Sequence, residues 1–403
     1  MFQPPISEAV PKDVLTSKQQ ILVPQIPPRQ MPVPRLLNVA ATGLCIFLLL
    51  VLVAVWPERL HAQEAAPQFD DLAARAAAAR DSGNLPQAIE LYGQAEQLKP
   101  DWAEGWFYSG LLQYSSNGFP AAIDAFNHFL QLQPGAPPAL ALRGLSEFET
   151  GAYDDALRDL EEGVAKGAAN DPHNEQIIRY HLAQLLTRAG RFEDALAQYQ
   201  FFASKHIDDA DLMIGIGLAG LRVSSLSKDV SAEDRELYQA AGSAGYALLS
   251  GDNNEADRLF GQLFARYPKM PGLHFYYGFL LFPHSPELSI DQFRGEVTLA
   301  PANMYAHAML AYSLMIGGHY AEAVPEAETA LAGSPGMQMA QLTLGRSLAE
   351  TGEVKRGAEV LNQVIEKDPN NLEAHMGLAA LYSHTGRKED AYRERMVCLG
   401  LAK

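Results

Sequence analysis

Ala122-Ile-Asp-Ala-Phe126, closed by Pro134, is the stretch whose pattern decides the fold, because the chain repeats it at a nearly fixed interval. A small residue is followed by an aliphatic one and then by an aromatic, as in Ala88-Ile89 with Tyr92 and Ala195-Leu196 with Tyr199. The small position recurs at Ala88, Ala122, Ala156, Ala195, Ala256, Ser289, Ala323, Gly357 and Ala391, with spacings of 34, 34, 39, 61, 33, 34, 34 and 34. A proline stands twelve residues after most of these markers: Pro100, Pro134, Pro268, Pro301, Pro335 and Pro369. A glycine stands five residues before them at Gly83, Gly151, Gly190, Gly251, Gly318, Gly352 and Gly386. Three markers that keep one phase are the signature of an internal repeat.

The repeat has a physical reading. Sixteen residues separate the glycine from the next proline where both are present. Their apolar positions fall three or four apart, the period of an amphipathic helix. The proline ends that helix, and the glycine ends the preceding one by taking a left-handed conformation. A small residue at the marker lets two antiparallel helices approach closely. One such hairpin cannot bury both its faces, but stacked neighbours can. A length of 403 residues by itself suggests two or three domains; the period replaces that estimate with an all-α array.

With the period go Trp106-Phe-Tyr-Ser-Gly110 and Leu344-Gly345, and together these elements resemble tetratricopeptide repeats over roughly residues 67–403. The resemblance implies a right-handed α-solenoid of helical hairpins whose concave groove binds a peptide or a partner protein. Nine units begin near 69, 103, 137, 176, 237, 270, 304, 338 and 372, with units 1–4 over 67–208 and units 5–9 over 237–403. The 39-residue step accommodates Gly167-Ala-Ala-Asn-Asp-Pro172. The 61-residue step leaves 209–236 outside any unit: Asp209–Arg222 reads as an extra helix and Ser224–Ser231 as a polar linker. A hinge or change of curvature is expected near 205–235. The sixth unit carries Ser289 at the marker, Pro283 and Pro286 in its turn, and an inferred one-residue deletion there.

In this family the second, fifth, ninth and twelfth positions of each first helix point into the groove. Carried onto this chain, they nominate Phe107, Leu111, Tyr114, Tyr180, Tyr238, Phe275, Phe279, Tyr305, Tyr312 and Met315 as partner-binding residues. Leu145, Phe148, Leu248, Phe282, Met339, Leu342 and Met376 fall at equivalent positions. Aromatic and Met side chains on an open concavity are typical anchors for a partner; the alternative is that they pack against one another. A clamp for a C-terminal carboxylate needs several inward Lys, Arg or Asn, whereas the sixth positions of the first four units hold Ala74, Tyr108, Leu142 and His181. Arg80 alone does not build one.

Ahead of the array, residues 1–35 hold eight of the 25 prolines and read as a disordered leader. Leu36–Trp56 then runs 21 residues without a charge, long enough to cross a bilayer core of roughly 30 Å. Lys12, Lys18, Arg29 and Arg35 against Glu8 and Asp13 give the leader a net +2, which keeps the N-terminus cytoplasmic and exports the chain beyond Trp56. If translation starts at Met31, the same run is the core of a signal peptide cleaved near Ala62. Both readings stand, with 57–66 as a linker. The expected protein is either a single-pass membrane protein with an extracytoplasmic array or a periplasmic or secreted one, and in compartment and architecture it resembles bacterial envelope assembly factors. With the leader removed, the charge of −17 becomes −19, a surface that repels anionic head groups.

That acidity argues against nucleic acid as a partner, because phosphate binding needs clustered Lys and Arg. Cys45 and Cys398 are too few for a disulfide framework. Gly215-Ile-Gly217-Leu-Ala-Gly220 spells a dinucleotide fingerprint, but no β-rich run precedes it, so it reads as helix-packing glycines. His274, His307 and His375 sit on different hairpins, roughly 8–10 Å apart, too far to converge on one metal ion. No catalytic, cofactor or metal site is nominated. The function expected is a non-enzymatic interaction scaffold for a protein or peptide partner; the alternative is an accessory subunit that positions a separate envelope enzyme or assembly machine.

Overall fold

A computed structural model describes residues 56–170 and 172–401 of the chain. The proline-rich leader and all of the uncharged run except Trp56 lie outside the described residues. Among the described residues there are nineteen α-helices, two short 3-10 turns and no strand. No helix among them is long and apolar enough to cross a membrane.

The chain divides into two compact units, one ending at Ala189 and the other starting at Gly190. The first contains α1 (Trp56–Asp81), α2 (Leu85–Leu98), α3 (Ala103–Ser115), α4 (Phe119–Leu132), α5 (Pro137–Thr150), α6 (Tyr153–Ala165) and α7 (Pro172–Arg188). Residues 57–66, expected as a linker, belong instead to α1. The second contains α8 (Phe192–Ser204), α9 (Ala210–Gly220), α10 (Arg235–Leu249), α11 (Asn253–Arg266), α12 (Leu273–Leu281), α13 (Pro286–Leu299), α14 (Met304–Ile316), α15 (Tyr320–Gly333), α16 (Gln338–Glu350), α17 (Val354–Lys367), α18 (Leu372–His384) and α19 (Lys388–Leu401).

Each sequence marker has a structural job. At Gly151, φ is +83°, and the backbone closes α5 with bonds from Gly151 N–H to Phe148 O and from Ala152 N–H to Glu147 O. The other marker glycines have φ between +74° and +95°; Asn117 takes over that conformation in the second hairpin, with φ +59°. Asn tolerates it better than most residues. Lys99, Gln133, Tyr267, Ala300, Ser334 and Asp368 cap helices at φ between −127° and −140°, each just before a marker proline. Proline forces that extended conformation on its predecessor. The small markers lie at the helix crossings: Ala88, Ala122, Ala156, Ala195, Ala256, Ser289 and Ala323 are fully buried. Ser289 keeps its hydroxyl satisfied through Pro286 O and Ser313 Oγ.

A second small residue, on the first helix, opposes a large one sixteen or so positions later. A methyl on Gly110 would stand 2.7 Å from the Phe126 ring, and one on Gly345 2.6 Å from Leu361. In the sixth unit α12 has only nine residues where the first helices of the other units have 13 or more. The final helix, α19, leaves Tyr392, Met396 and Leu399 exposed because no further hairpin covers them among the described residues.

The segment expected as an extra helix and polar linker folds more tightly than that reading implied. Helix α9 packs on α10 through glycines: a Cβ at Gly217 would stand 2.0 Å from Tyr238 O, and one at Gly242 1.7 Å from Met213 O. Residues 227–229 form a 3-10 turn. Leu226 and Ser227 are buried; Ser227 Oγ donates to Asp211 O at 3.2 Å, and the Arg235 guanidinium donates to the Asp211 carboxylate at 2.6 Å. The division between the compact units falls at 189/190.

The backbone contact at α9–α10 makes a sharp expectation. Gly242→Ala should cost about 3 kcal/mol, because the added methyl meets a carbonyl and cannot move aside. Gly261→Ala, with nothing within 4 Å, should instead gain about 0.5–1 kcal/mol from helix propensity. Urea denaturation of both variants checks the pair; equal effects would contradict the packing.

Candidate functional site

The nominated groove residues divide sharply by burial. In the first unit Phe107, Leu111, Tyr114 and Tyr180 are all buried, at 7% exposure or less. Phe107 packs on Phe129 with centroids 5.3 Å apart, and Tyr114 meets Phe119 edge-on at 5.8 Å. Tyr180 lies edge-on to His181. All four present little surface to a partner.

In the second unit the outcome is mixed. Phe275 and Met315 are buried, but Phe279, Tyr305 and Tyr312 are half-buried, joined by Phe282 and Met339. All seven belong to one cluster spread over α12, the turn after it, α14 and α16. Phe275 stacks on Phe279 at 6.1 Å and tilts toward Tyr305 at 5.5 Å; Phe282 meets Tyr312 at 5.4 Å. Further along, Met376 on α18 is 57% exposed. Tyr238 stands apart from this strip on α10, half-buried, its carbonyl against Gly217.

Arg222, not nominated from sequence, organises one end of the strip. It follows α9 with φ +60°, an uncommon conformation for a non-glycine residue. Its guanidinium lies 4.9 Å from the Phe192 ring centroid, 5.4 Å from Phe275 and 4.9 Å from Tyr305, and donates to Glu193 at 2.5 Å. Cation–π attraction to three rings plus a charge-assisted hydrogen bond compensates the backbone strain. Burial and the Glu193 carboxylate push the Tyr305 phenol up from its ordinary pKa. No local sequence signal marks Arg222, because its partners lie 29 to 83 residues away.

Two clefts open beside these residues. One of about 300 Å³ is lined by Glu193, Leu196, Leu248, Phe279, Pro283 and His284 among others. The second, of about 280 Å³, lies between α14, α16 and α18 and is lined by Tyr312, Met315, Gln338, Met339, Leu342, Thr343, Arg346 and Glu373.

The chemical decoys are spent within the fold. Gly215, Gly217 and Gly220 lie on α9, not at a strand-to-helix turn. A Cβ on Gly220 would stand 2.2 Å from the Tyr276 ring. His307 Nε2 faces Pro301 O at 3.1 Å while its Nδ1 lies 2.6 Å from Glu326. His375 repeats this geometry with Pro369 O at 3.0 Å and Glu394 at 2.6 Å. His274 bonds Gln292 at 2.9 Å and stacks on Phe264. Among the described residues no three His, Cys, Asp or Glu side chains are placed to hold a metal ion.

With this geometry in view, two family models described as tetratricopeptide repeat match the chain: one over residues 73–137, 110–174 and 180–245, the other over 314–370. Together they span 225 of its 403 residues. Among solved structures the chain is similar to the MamA RS-1 ArsTM double mutant, at 19% identity and TM-score 0.36, covering 40% of this chain and 90% of that one. It is similar to the P58(IPK) TPR domain at 15% identity and TM-score 0.28, covering 82% and 92%. It is similar to yeast Tom70 at 13% identity and TM-score 0.27, covering 85% and 92%. The family assignment rests on the repeat models.

Two carboxylates in the first unit have perturbed protonation. Burial pushes Glu96 up to about 7, with Ser109 opposing it through a hydrogen bond, and one of its oxygens has no partner. Burial, then the charge of Asp159, pushes Glu147 up to about 7 despite Arg143. Neither lines either of the two clefts, so both bear on stability. The folded-state pKa of Glu96 lies above its unfolded value of about 4.5. Between these values the folded state binds the extra proton, and stability falls as pH rises through the window. Glu96→Gln removes the ionisable group. Its stability gain over the parent should therefore grow by about 1–2 kcal/mol between pH 5.5 and pH 8. Denaturation at the two pH values measures it, and a pH-independent difference would refute the assignment.

Proposed function

The chain belongs to the tetratricopeptide-repeat family, and from that premise we propose that it is a non-enzymatic scaffold that binds a partner peptide or protein along the first-helix face of its second unit. Repeats of this family generally mediate protein–protein contacts and are generally non-catalytic. The observation that carries the reading is the strip Phe279, Phe282, Tyr305, Tyr312 and Met339, half-buried side chains brought onto one face by successive hairpins. Each is held by neighbours yet retains accessible surface. That combination suits anchor residues, which bind without first losing much conformational freedom.

The setting we propose is the extracytoplasmic side of a membrane, in the manner of bacterial envelope proteins. The 21 uncharged residues 36–56 behind a leader of net +2 support this, whether the run remains as an anchor or is removed as a signal. The −19 of the remaining chain suits an array held away from anionic lipid.

Tyr312→Arg, alone and with Phe282→Arg, should weaken capture of the partner at least about tenfold, while far-UV circular dichroism and the thermal midpoint stay near the parent values. Affinity purification from membrane and soluble envelope extracts, read by mass spectrometry, measures it. Unchanged capture would remove the second-unit face as the binding surface. Stoichiometric recovery of an enzyme that loses activity without the array would assign the accessory-subunit role instead.

A further inference from the structure

We propose that the cleft between α14, α16 and α18 receives an extended segment of the partner in which one acidic side chain, Asp or Glu, lies two or three residues from an apolar one. This deepens the proposed binding face and rests on it.

The cleft has two chemically distinct ends. Tyr312 and Met315 from α14 and Met339 and Leu342 from α16 line an apolar end, and the whole cleft holds about 280 Å³, room for one large side chain. The other end carries Arg346. Its stem lies against α18, 3.4 Å from where a Cβ on Gly377 would stand, so its aliphatic part is positioned while its head is exposed. Among the described residues Arg346 has no hydrogen-bond or ion-pair partner. Every other arginine of the second unit has one: Arg191, Arg222, Arg235, Arg258, Arg266, Arg294, Arg356, Arg387 and Arg393 pair with carboxylates, and Arg395 with Ser383. In a chain of net charge −17 an unpaired guanidinium beside an apolar cleft is the exception. Glu373 lines the same cleft without forming an ion pair with it.

Thr343 is the independent second sign. It also lines the cleft, is 1% exposed, and its hydroxyl has no partner. A buried unpaired hydroxyl is unfavourable in the free protein and is relieved by a ligand that bonds it. It stands three residues before Arg346, one turn away on α16.

Helix geometry then sets the spacing of the ligand. Leu342 and Met339 precede Arg346 by four and seven residues, about 6 Å and 10 Å along the helix axis. An extended chain advances about 3.3 Å per residue, so an apolar side chain in the cleft and a carboxylate on Arg346 lie two or three residues apart. Arginine favours the planar carboxylate through paired hydrogen bonds. Glu373 repels a second acid, which selects a single acidic residue over an acidic run.

The test selects peptides from a random-sequence library on the full chain in detergent, then measures their affinities by fluorescence anisotropy. Selected peptides should share a Leu, Met or Phe two or three residues from one Asp or Glu. Arg346→Glu should weaken them about tenfold or more, and changing the peptide acid to Lys should restore much of the loss. Thr343→Val should raise the thermal midpoint of the free protein yet weaken peptide binding severalfold. Peptides that lack an acidic preference, or whose affinity survives Arg346→Glu, while Tyr312→Arg still abolishes binding, would overturn the charge pairing and leave the binding face intact. If Tyr312→Arg has no effect on any selected peptide, the binding face fails and the inference with it.

Discussion

Close approach of paired helices is the constraint on which the rest of this structure depends. An antiparallel pair joined by a few residues buries its crossing only if one side is small there. The nine markers meet that need with Ala, Ser or Gly, and a second small residue on the first helix admits the large side chain opposite, as Gly110 admits Phe126 and Gly345 admits Leu361. The α9–α10 crossing takes the same rule to its limit, with Gly217 against Tyr238 O and Gly242 against Met213 O. There the helices meet backbone to backbone. What spells a nucleotide motif in one dimension is a packing stripe in three, since a helix offers no strand-to-helix turn to cradle a phosphate.

The same geometry creates a recurring polar need at the joints. At four joints the proline that ends a hairpin presents its carbonyl to the next first helix. Trp106, His307, Gln341 and His375 each bond the carbonyl of the proline six residues earlier, at 2.8, 3.1, 3.2 and 3.0 Å. Three different side-chain types do one job, because the position demands a nitrogen of the right reach and nothing more. This accounts for His307 and His375 without a metal, and their second ring nitrogens are taken by Glu326 and Glu394.

Charge follows from packing as well. Arg294 and Arg356 reach Glu322 and Glu328 across neighbouring hairpins, and Arg143 reaches Asp159 and Asn127 in the first unit. The exposed pairs among them contribute little each, but pairing of this kind engages the other arginines of the second unit. Among the described residues of the second unit, Arg346 is the arginine left without a partner, and it stands beside the strip of half-buried aromatics.

Period, hairpin, helix ends and tight crossings were legible in the sequence because each depends on residues close together along the chain. A glycine at φ near +80°, a proline after a cap and a small residue at a crossing are local requirements, and they recur in phase. Even so, Asn117 filled a glycine's place and residues 57–66 joined a helix, since several side chains satisfy one backbone conformation and helix ends depend on neighbours. The proposed binding face was only half legible. Position within the repeat nominated Phe107, Leu111, Tyr114 and Tyr180 on the same grounds as Tyr305 and Tyr312, yet the first four are buried and the last two keep accessible surface. Exposure depends on how closely the neighbouring helices overlie a given turn, and Arg222 and Arg346 matter through partners that are gathered, or withheld, across dozens of residues. The sequence alone determined which segments pair; only the tertiary structure decided which side chains that pairing leaves open, because burial is a property of the neighbours and not of the residue.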